Sequence, residues 1–92
     1  MLIRLYATLR PPVGGKSVDL PAVEGEPVGA ILRRLVAAYP GLDGQLLTPD
    51  GQALLPHVQV FLSGRSIRDL QGLETPLPAN PDMAIFPPVA GG

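Results

Sequence analysis

The sequence closes on Gly91 and Gly92, and the residues leading into them are Ile85-Phe86-Pro87-Pro88-Val89-Ala90. Chain ends ordinarily fray and place no demand on residue type. At an average glycine usage near 7%, a chance Gly pair at an end has a probability of roughly 0.5%. Without Cβ atoms the two residues bend freely and fit a slot too narrow for any side chain. The chemistry on offer is that of a carboxylate, the α-carboxyl of Gly92, delivered deep into another protein's active site. The competing reading is a disordered tail with no role.

A tail used in this way needs a body to carry it. Residues 2–9 alternate, with Ile3, Leu5, Ala7 and Leu9 on one face and Arg4, Tyr6 and Thr8 on the other, the pattern of an amphipathic strand. Pro11-Pro12-Val13-Gly14-Gly15 breaks it with turn chemistry. Ser17 to Leu20 gives a short second strand with Val18 and Leu20 toward the core, so the pair reads as a hairpin with a longish loop. Glu26-Pro27 opens a helix, with proline near the first turn, where its missing N–H is harmless. Val28, Ile31, Leu32, Leu35, Val36 and Tyr39 follow at helical spacing, Arg33 and Arg34 lie off that stripe, and Pro40-Gly41 ends it.

Residues 41–56 hold Gly41, Gly44, Pro49, Gly51 and Pro56, with Leu46 and Leu47 as anchors, and read as a compact loop with room for one helical turn. Val58, Val60 and Leu62 alternate with Gln59, Phe61 and Ser63 in a third strand. Ser63-Gly64-Arg65 turns the chain, and Ile67 is placed on a short return strand. Leu70, Leu73 and Leu77 stand among turn residues before a last strand from Met83 to Phe86, which Pro87 ends because it cannot donate a ladder hydrogen bond. These elements predict an α+β domain, a mixed four- to five-stranded sheet with one main helix on one face. The other face, carrying Tyr6 and Phe86, needs either solvent or a partner.

Ninety-two residues make a single domain, read here as 1–92 with a flexible Gly-Gly tail over about 87–92. At 46% hydrophobic and 16% charged, the chain is of globular composition. A formal charge of −1, with the basic residues dispersed, argues against nucleic acid as a partner. No stretch is long enough for a membrane span, and Met1-Leu2-Ile3-Arg4 does not open a signal peptide. The expected address is the cytoplasm. The absence of cysteine excludes a cysteine nucleophile and thiolate metal sites. His57, the single histidine, is read as a surface residue at a strand start. Asp43, Asp50, Asp69 and Asp82 fall in predicted turns. No catalytic residue, metal site or bound cofactor is expected in the chain.

Taken with its ending, the chain resembles the MoaD/ThiS family of ubiquitin-like sulfur carriers. The likeness lies in Met1-Leu2-Ile3-Arg4-Leu5-Tyr6-Ala7, the amphipathic helix, the strand His57 to Arg65, and the block Met83 to Gly92. Asn80-Pro81-Asp82 departs from it, since family members usually carry a Gly-Asp turn there. Leu9-Arg10-Pro11, Gly14-Gly15-Lys16-Ser17-Val18 and the long 41–56 segment are most similar to the carrier type that feeds cysteine synthesis (CysO type).

The resemblance implies a β-grasp fold and a carrier rather than an enzyme. A ubiquitin-activating-type enzyme is then expected to adenylate Gly92 with ATP and Mg²⁺, and a sulfur donor to replace AMP and leave a C-terminal thiocarboxylate. The acceptor would be a cysteine synthase-like enzyme or the large subunit of molybdopterin synthase. Gly91, Ala90, Val89, Pro88 and Pro87 would thread the tail, the prolines stiffening its exit. Phe86 and Tyr6 would dock the partners; their alternative role is ordinary packing at the sheet edge. Arg33 and Arg34 read as a solvated helix face, or as residues that steer a partner. The leading reading is a sulfur carrier, with cysteine as the first candidate product. The alternatives are the small subunit of molybdopterin synthase, a ubiquitin-like modifier joined through Gly92 to target lysines, and a plain β-grasp interaction domain.

Overall fold

The computed structural model describes residues 1–88. Strand β1 (Leu2–Leu5) sends Ile3 and Leu5 into the core and Leu2 and Arg4 to the surface, as the alternation predicts. The strand then stops four residues earlier than expected. Ala7 takes φ +51°, a left-handed conformation that ends extended pairing, and Ala7–Leu9 form a 3₁₀ turn that still buries Leu9. The residues expected to break the chain instead build a short helix α1 (Arg10–Val13), with Pro11 in its first turn, where a missing N–H breaks no helical bond. Gly14 caps it at φ +73°, its N–H reaching the carbonyls of Arg10 and Pro11.

Strand β2 (Ser17–Asp19) pairs antiparallel with β1, and Val18 and Leu20 are buried, as expected. Helix α2 (Val28–Ala38) buries Val28, Ile31, Leu32 and Leu35 fully, with Val36 and Tyr39 packed at the margin. Pro27 stands just before the helix as its extended N-cap. The first helical amide, on Val28, donates to the Thr75 carbonyl (2.9 Å), and Leu77 donates to Glu26 (2.8 Å), so the 71–77 segment ties down the helix start.

The 41–56 segment is compact, with a 3₁₀ turn (Pro40–Leu42) and an isolated bridge between Leu47 and Leu54. Leu46 and Leu47 are both buried, so the anchors stand. Strands β3 (Gln59–Leu62) and β4 (Arg65–Ser66) form a hairpin closed by Ser63 and Gly64, both at positive φ as a type I′ turn demands. Ile67 is not on β4. It opens a 3₁₀ turn (Ile67–Asp69) capped by Ser66 Oγ, and this points its side chain inward all the same. Strand β5 runs Asp82–Phe86, so Asp82 lies in the sheet and not in a turn.

The sheet has five strands in the order β2-β1-β5-β3-β4, with β1 and β5 parallel and the other pairs antiparallel. Helix α2 and the inner sheet face enclose one core around Ile3, Leu5, Val60, Met83 and Ile85. Each such side chain contributes about 1.5–3 kcal/mol on full burial. The mixed sheet with a single main helix is as expected, and it leaves the tail-bearing strand β5 at the centre.

Candidate functional site

Strand alternation divides β5. Met83 and Ile85 face α2 and are fully buried, so Ala84 and Phe86 project from the face that no helix covers. In register, Arg4 and Phe61 stand on either side of Ala84, which is only 8% exposed. Three aromatic side chains gather on this face. Tyr6 stacks on Phe86 with ring centroids 4.2 Å apart and planes 10° from parallel. Phe61 meets Phe86 edge-on at 5.7 Å and 90°. Both are favoured aromatic geometries, each worth about 0.5–1.5 kcal/mol beyond burial.

The break after β1 explains how Tyr6 reaches this position. Tyr6 itself is extended (φ −124°, ψ 153°), so it continues the strand's direction while Ala7 turns the backbone away. The turn brings Arg10 back, and its Nε donates to the Leu5 carbonyl (2.8 Å), occupying an acceptor at the end of β1. The Arg10 guanidinium also lies over the Tyr6 ring, 5.2 Å from its centroid. The predicted pair Tyr6 and Phe86 is therefore brought together. It is joined by Phe61 and Arg10, which the sequence reading did not assign to the site. For Phe61 the signal was present, since it alternates with the core residues Val60 and Leu62; what was missing was the placement of β3 beside β5.

Phe86 ends β5, and Pro87 and Pro88 follow it out of the sheet, the first half-buried and the second exposed. Both prolines sit where an exit from the aromatic patch is required. The threading residues Val89, Ala90 and Gly91, and the proposed modification at Gly92, lie outside the described residues. On the same face Arg4 pairs with Asp82 across β1 and β5 at 2.7 Å, and both side chains are about half exposed. A pair this wet contributes no more than about 1 kcal/mol.

Elsewhere the charged residues do structural work. Arg33 and Arg34 are not free on the helix surface. Arg33 donates to the Gly51 carbonyl (2.9 Å), and Arg34 donates to Glu26 Oε2 (2.7 Å) and to the Pro21 carbonyl (2.6 Å), so each fastens a loop to α2. The hydrogen bond from Arg34, helped by the Val23 N–H, holds the Glu26 carboxyl below the ordinary glutamate range and raises Arg34 in return. Asp50 is likewise lowered, by the Thr48 hydroxyl and then the Gln52 N–H, and so acts in its turn as expected. His57 is exposed at φ +67°, on the surface before β3. Among the described residues there is no group of three or more potential metal-binding side chains. Among them, too, no helix is long and apolar enough to cross a membrane.

The family model for ThiS proteins matches residues 3–92, which takes in β1, the aromatic patch and the closing Gly-Gly. Small archaeal modifier protein 3 of Haloferax volcanii is 42% identical over 90 residues, 98% of this chain and 96% of the relative. The sulfur carrier protein CysO of Mycobacterium tuberculosis is 34% identical over 92 residues, with the same coverage of 98% and 96%. The crystal structure of SAMP1 from Haloferax volcanii superposes with a TM-score of 0.83 at 31% identity, covering 99% of this chain and 97% of that one. With the family model matching residues 3–92 and the whole fold superposing on such a structure, the chain belongs to the ThiS family, and its fold is the β-grasp of ubiquitin-like carriers and modifiers.

Proposed function

We propose that this protein is a ubiquitin-like modifier, joined through the Gly92 carboxyl to lysine side chains of target proteins. The observation that carries this is the graded likeness: 42% identity to an archaeal modifier against 34% to CysO, at equal coverage of the chain.

The chemistry begins with a poor electrophile. A carboxylate oxygen of Gly92 attacks the α-phosphorus of ATP in the active site of an adenylating enzyme, and pyrophosphate leaves. The neutral amine of a target lysine then attacks the acyl carbon, an amide forms, and AMP departs with release of a proton. The modifier supplies position rather than catalysis. The aromatic patch of Tyr6, Phe61 and Phe86 lies at the base of the tail, so an enzyme gripping the patch has a short, proline-stiffened path to Gly92.

A second reading rests on the CysO likeness. The same acyl-adenylate captured by a sulfur donor gives a thiocarboxylate and makes the protein a sulfur carrier. One experiment separates the two. The tagged protein is expressed in its own host, conjugates are isolated under denaturing conditions, and the intact mass of the free form is measured after incubation with adenylating enzyme, ATP and sulfide. Lysine-linked conjugates that vanish when Gly91 and Gly92 are deleted are the expected result. A mass gain equal to the exchange of one oxygen for sulfur, with no conjugates, would establish the carrier instead.

A further inference from the structure

The chain carries one lysine, Lys16, against six arginines. For a protein that forms amides through its own carboxyl end, that imbalance decides where a copy of itself can be attached. A guanidinium stays protonated and accepts no acyl group, whereas an ammonium on a flexible stem can give up a proton and become a nucleophile. The Met1 nitrogen is already engaged, by Asp19 Oδ1 (3.0 Å) and by the Leu20 carbonyl (2.8 Å). Lys16 stands in the open. Residues 14–17 are all exposed, and a Cβ placed on Gly14 or Gly15 would meet nothing within 4 Å. Among the described residues no carboxylate pairs with the Lys16 ammonium. Its backbone is fixed all the same, because its carbonyl accepts from the Leu5 N–H at 2.9 Å. Leu5 in turn stands opposite Ile85, so Lys16, Leu5 and Ile85 form one row across the sheet. The lysine therefore lies at the end of the sheet from which the tail departs.

We propose that Lys16 is the site at which a second copy of this chain is joined, through an isopeptide bond to the Gly92 carboxyl of the incoming copy. The neutral ε-amine attacks the acyl carbon of that copy's Gly92 adenylate. A C–N bond forms, the bond from the acyl carbon to the phosphate oxygen breaks, AMP leaves with its electron pair, and the surplus proton on nitrogen passes to solvent. Pro87 and Pro88 fix φ where the chain leaves β5, which favours reaching another copy over folding back onto the same one. One carboxyl end and one lysine per copy permit a single kind of polymer. It is unbranched, each copy is held by its own Gly92, and only the newest copy offers a free Lys16. The proposal rests on the modifier reading of Gly92, and the test tells a failure of that reading from a failure of the site.

Two half-competent chains provide the test. Lys16→Arg keeps the tail and the charge but has no acceptor, and a chain lacking Gly92 keeps Lys16 but has no donor. Both, and wild type, are labelled with heavy nitrogen and incubated with ATP, Mg²⁺ and an extract of the host from which this gene has been deleted. Products are read on denaturing gels and by mass, and thermal melts confirm that each variant is folded. Wild type is expected to give a ladder of linked copies. Neither variant alone should give linked copies, and the two mixed should give a dimer and nothing larger. A tryptic peptide containing Lys16 should carry residues 69–92 of the donor copy, since Arg68 is the last trypsin site in the chain. Lys16→Arg should still mark target proteins at the wild-type level, but only as single copies. The site is refuted by a ladder from Lys16→Arg, by linkage at the Met1 nitrogen, or by a monomer one water lighter, closed on its own Lys16. It is refuted, too, if Lys16→Arg loses its target conjugates, which would place Lys16 in activation instead. Wild-type target conjugates that never hold a second copy would refute the site and leave the modifier reading standing. No lysine-linked product of any kind from wild type would refute both.

Discussion

Because Tyr6 stacks on Phe86, the two side chains must be thermodynamically coupled. Tyr6→Ala removes one stacked partner, about 0.5–1.5 kcal/mol, and the cation–π contact with Arg10, a further 0.5–1 kcal/mol or so at a partly exposed site. Phe86→Ala removes the stack and the edge contact with Phe61, about 1–3 kcal/mol in all beyond the loss of buried ring area. The double variant loses the stack only once, so it should be more stable than the sum of the single losses by about 0.5–1.5 kcal/mol. In a domain of this size that coupling corresponds to roughly 2–12 °C in Tm, well within reach of urea titrations and thermal melts on the four proteins. Additivity within about 0.3 kcal/mol would mean that the rings do not stack, and the described patch would have to be redrawn. The same four proteins address function. If the rings dock a partner, each single variant weakens binding of the adenylating enzyme even at temperatures where it remains fully folded.

Leu32 is fully buried between α2 and the sheet, so Leu32→Ala should cost about 3–5 kcal/mol in urea unfolding, a large share of a typical domain's stability. At Gly64, φ is +83° and the space around a Cβ is open, so Gly64→Ala should cost about 1–2 kcal/mol from backbone conformation alone, and a matching variant at Gly15, outside the left-handed region, should not. The Glu26 carboxyl is held low by Arg34, so its stabilisation is complete above the ordinary glutamate value of 4.5 and is lost as pH falls through the lower folded value. Glu26→Gln should therefore flatten the acid limb of a Tm–pH profile while leaving the shape near neutrality unchanged; an unaltered acid limb would show that the contact is not populated.

The helix was legible because its apolar residues must all face one sheet, and that requirement writes a 3.6-residue period into the sequence. Strand β5 was legible as the short apolar run Met83 to Phe86, closed by Pro87. The end of β1 was not. Ala7 and Leu9 continue the two-residue period, yet only Leu9 is buried, by way of a 3₁₀ turn, while Ala7, expected on the core face, is exposed where the backbone leaves the strand. Pro11 and Pro12 punctuate a strand but are also acceptable in the first turn of a helix, and composition alone does not choose between the two. At the site, Tyr6 and Phe86 followed from alternation, whereas Phe61 and Arg10 depend on strand order and on a turn that closes over Leu5, both products of tertiary packing. Arg33 and Arg34 lie off the apolar stripe as the pattern says. Their carbonyl partners in distant loops leave no periodic trace.

The parallel pairing of β1 with β5 makes the molecule's mechanical resistance depend on direction. Both strands run the same way at the centre of the sheet, so tension between the start of β1 and the residues after Phe86 slides one past the other lengthwise. The ladder bonds are then loaded together in shear instead of being peeled one at a time, and survival under force is governed by the rate of unfolding rather than by equilibrium stability. Pulled from its tail against β1, the domain is a clamp. Pulled from its tail against the edge strand β4, whose two residues pair only with β3, it unzips from one side.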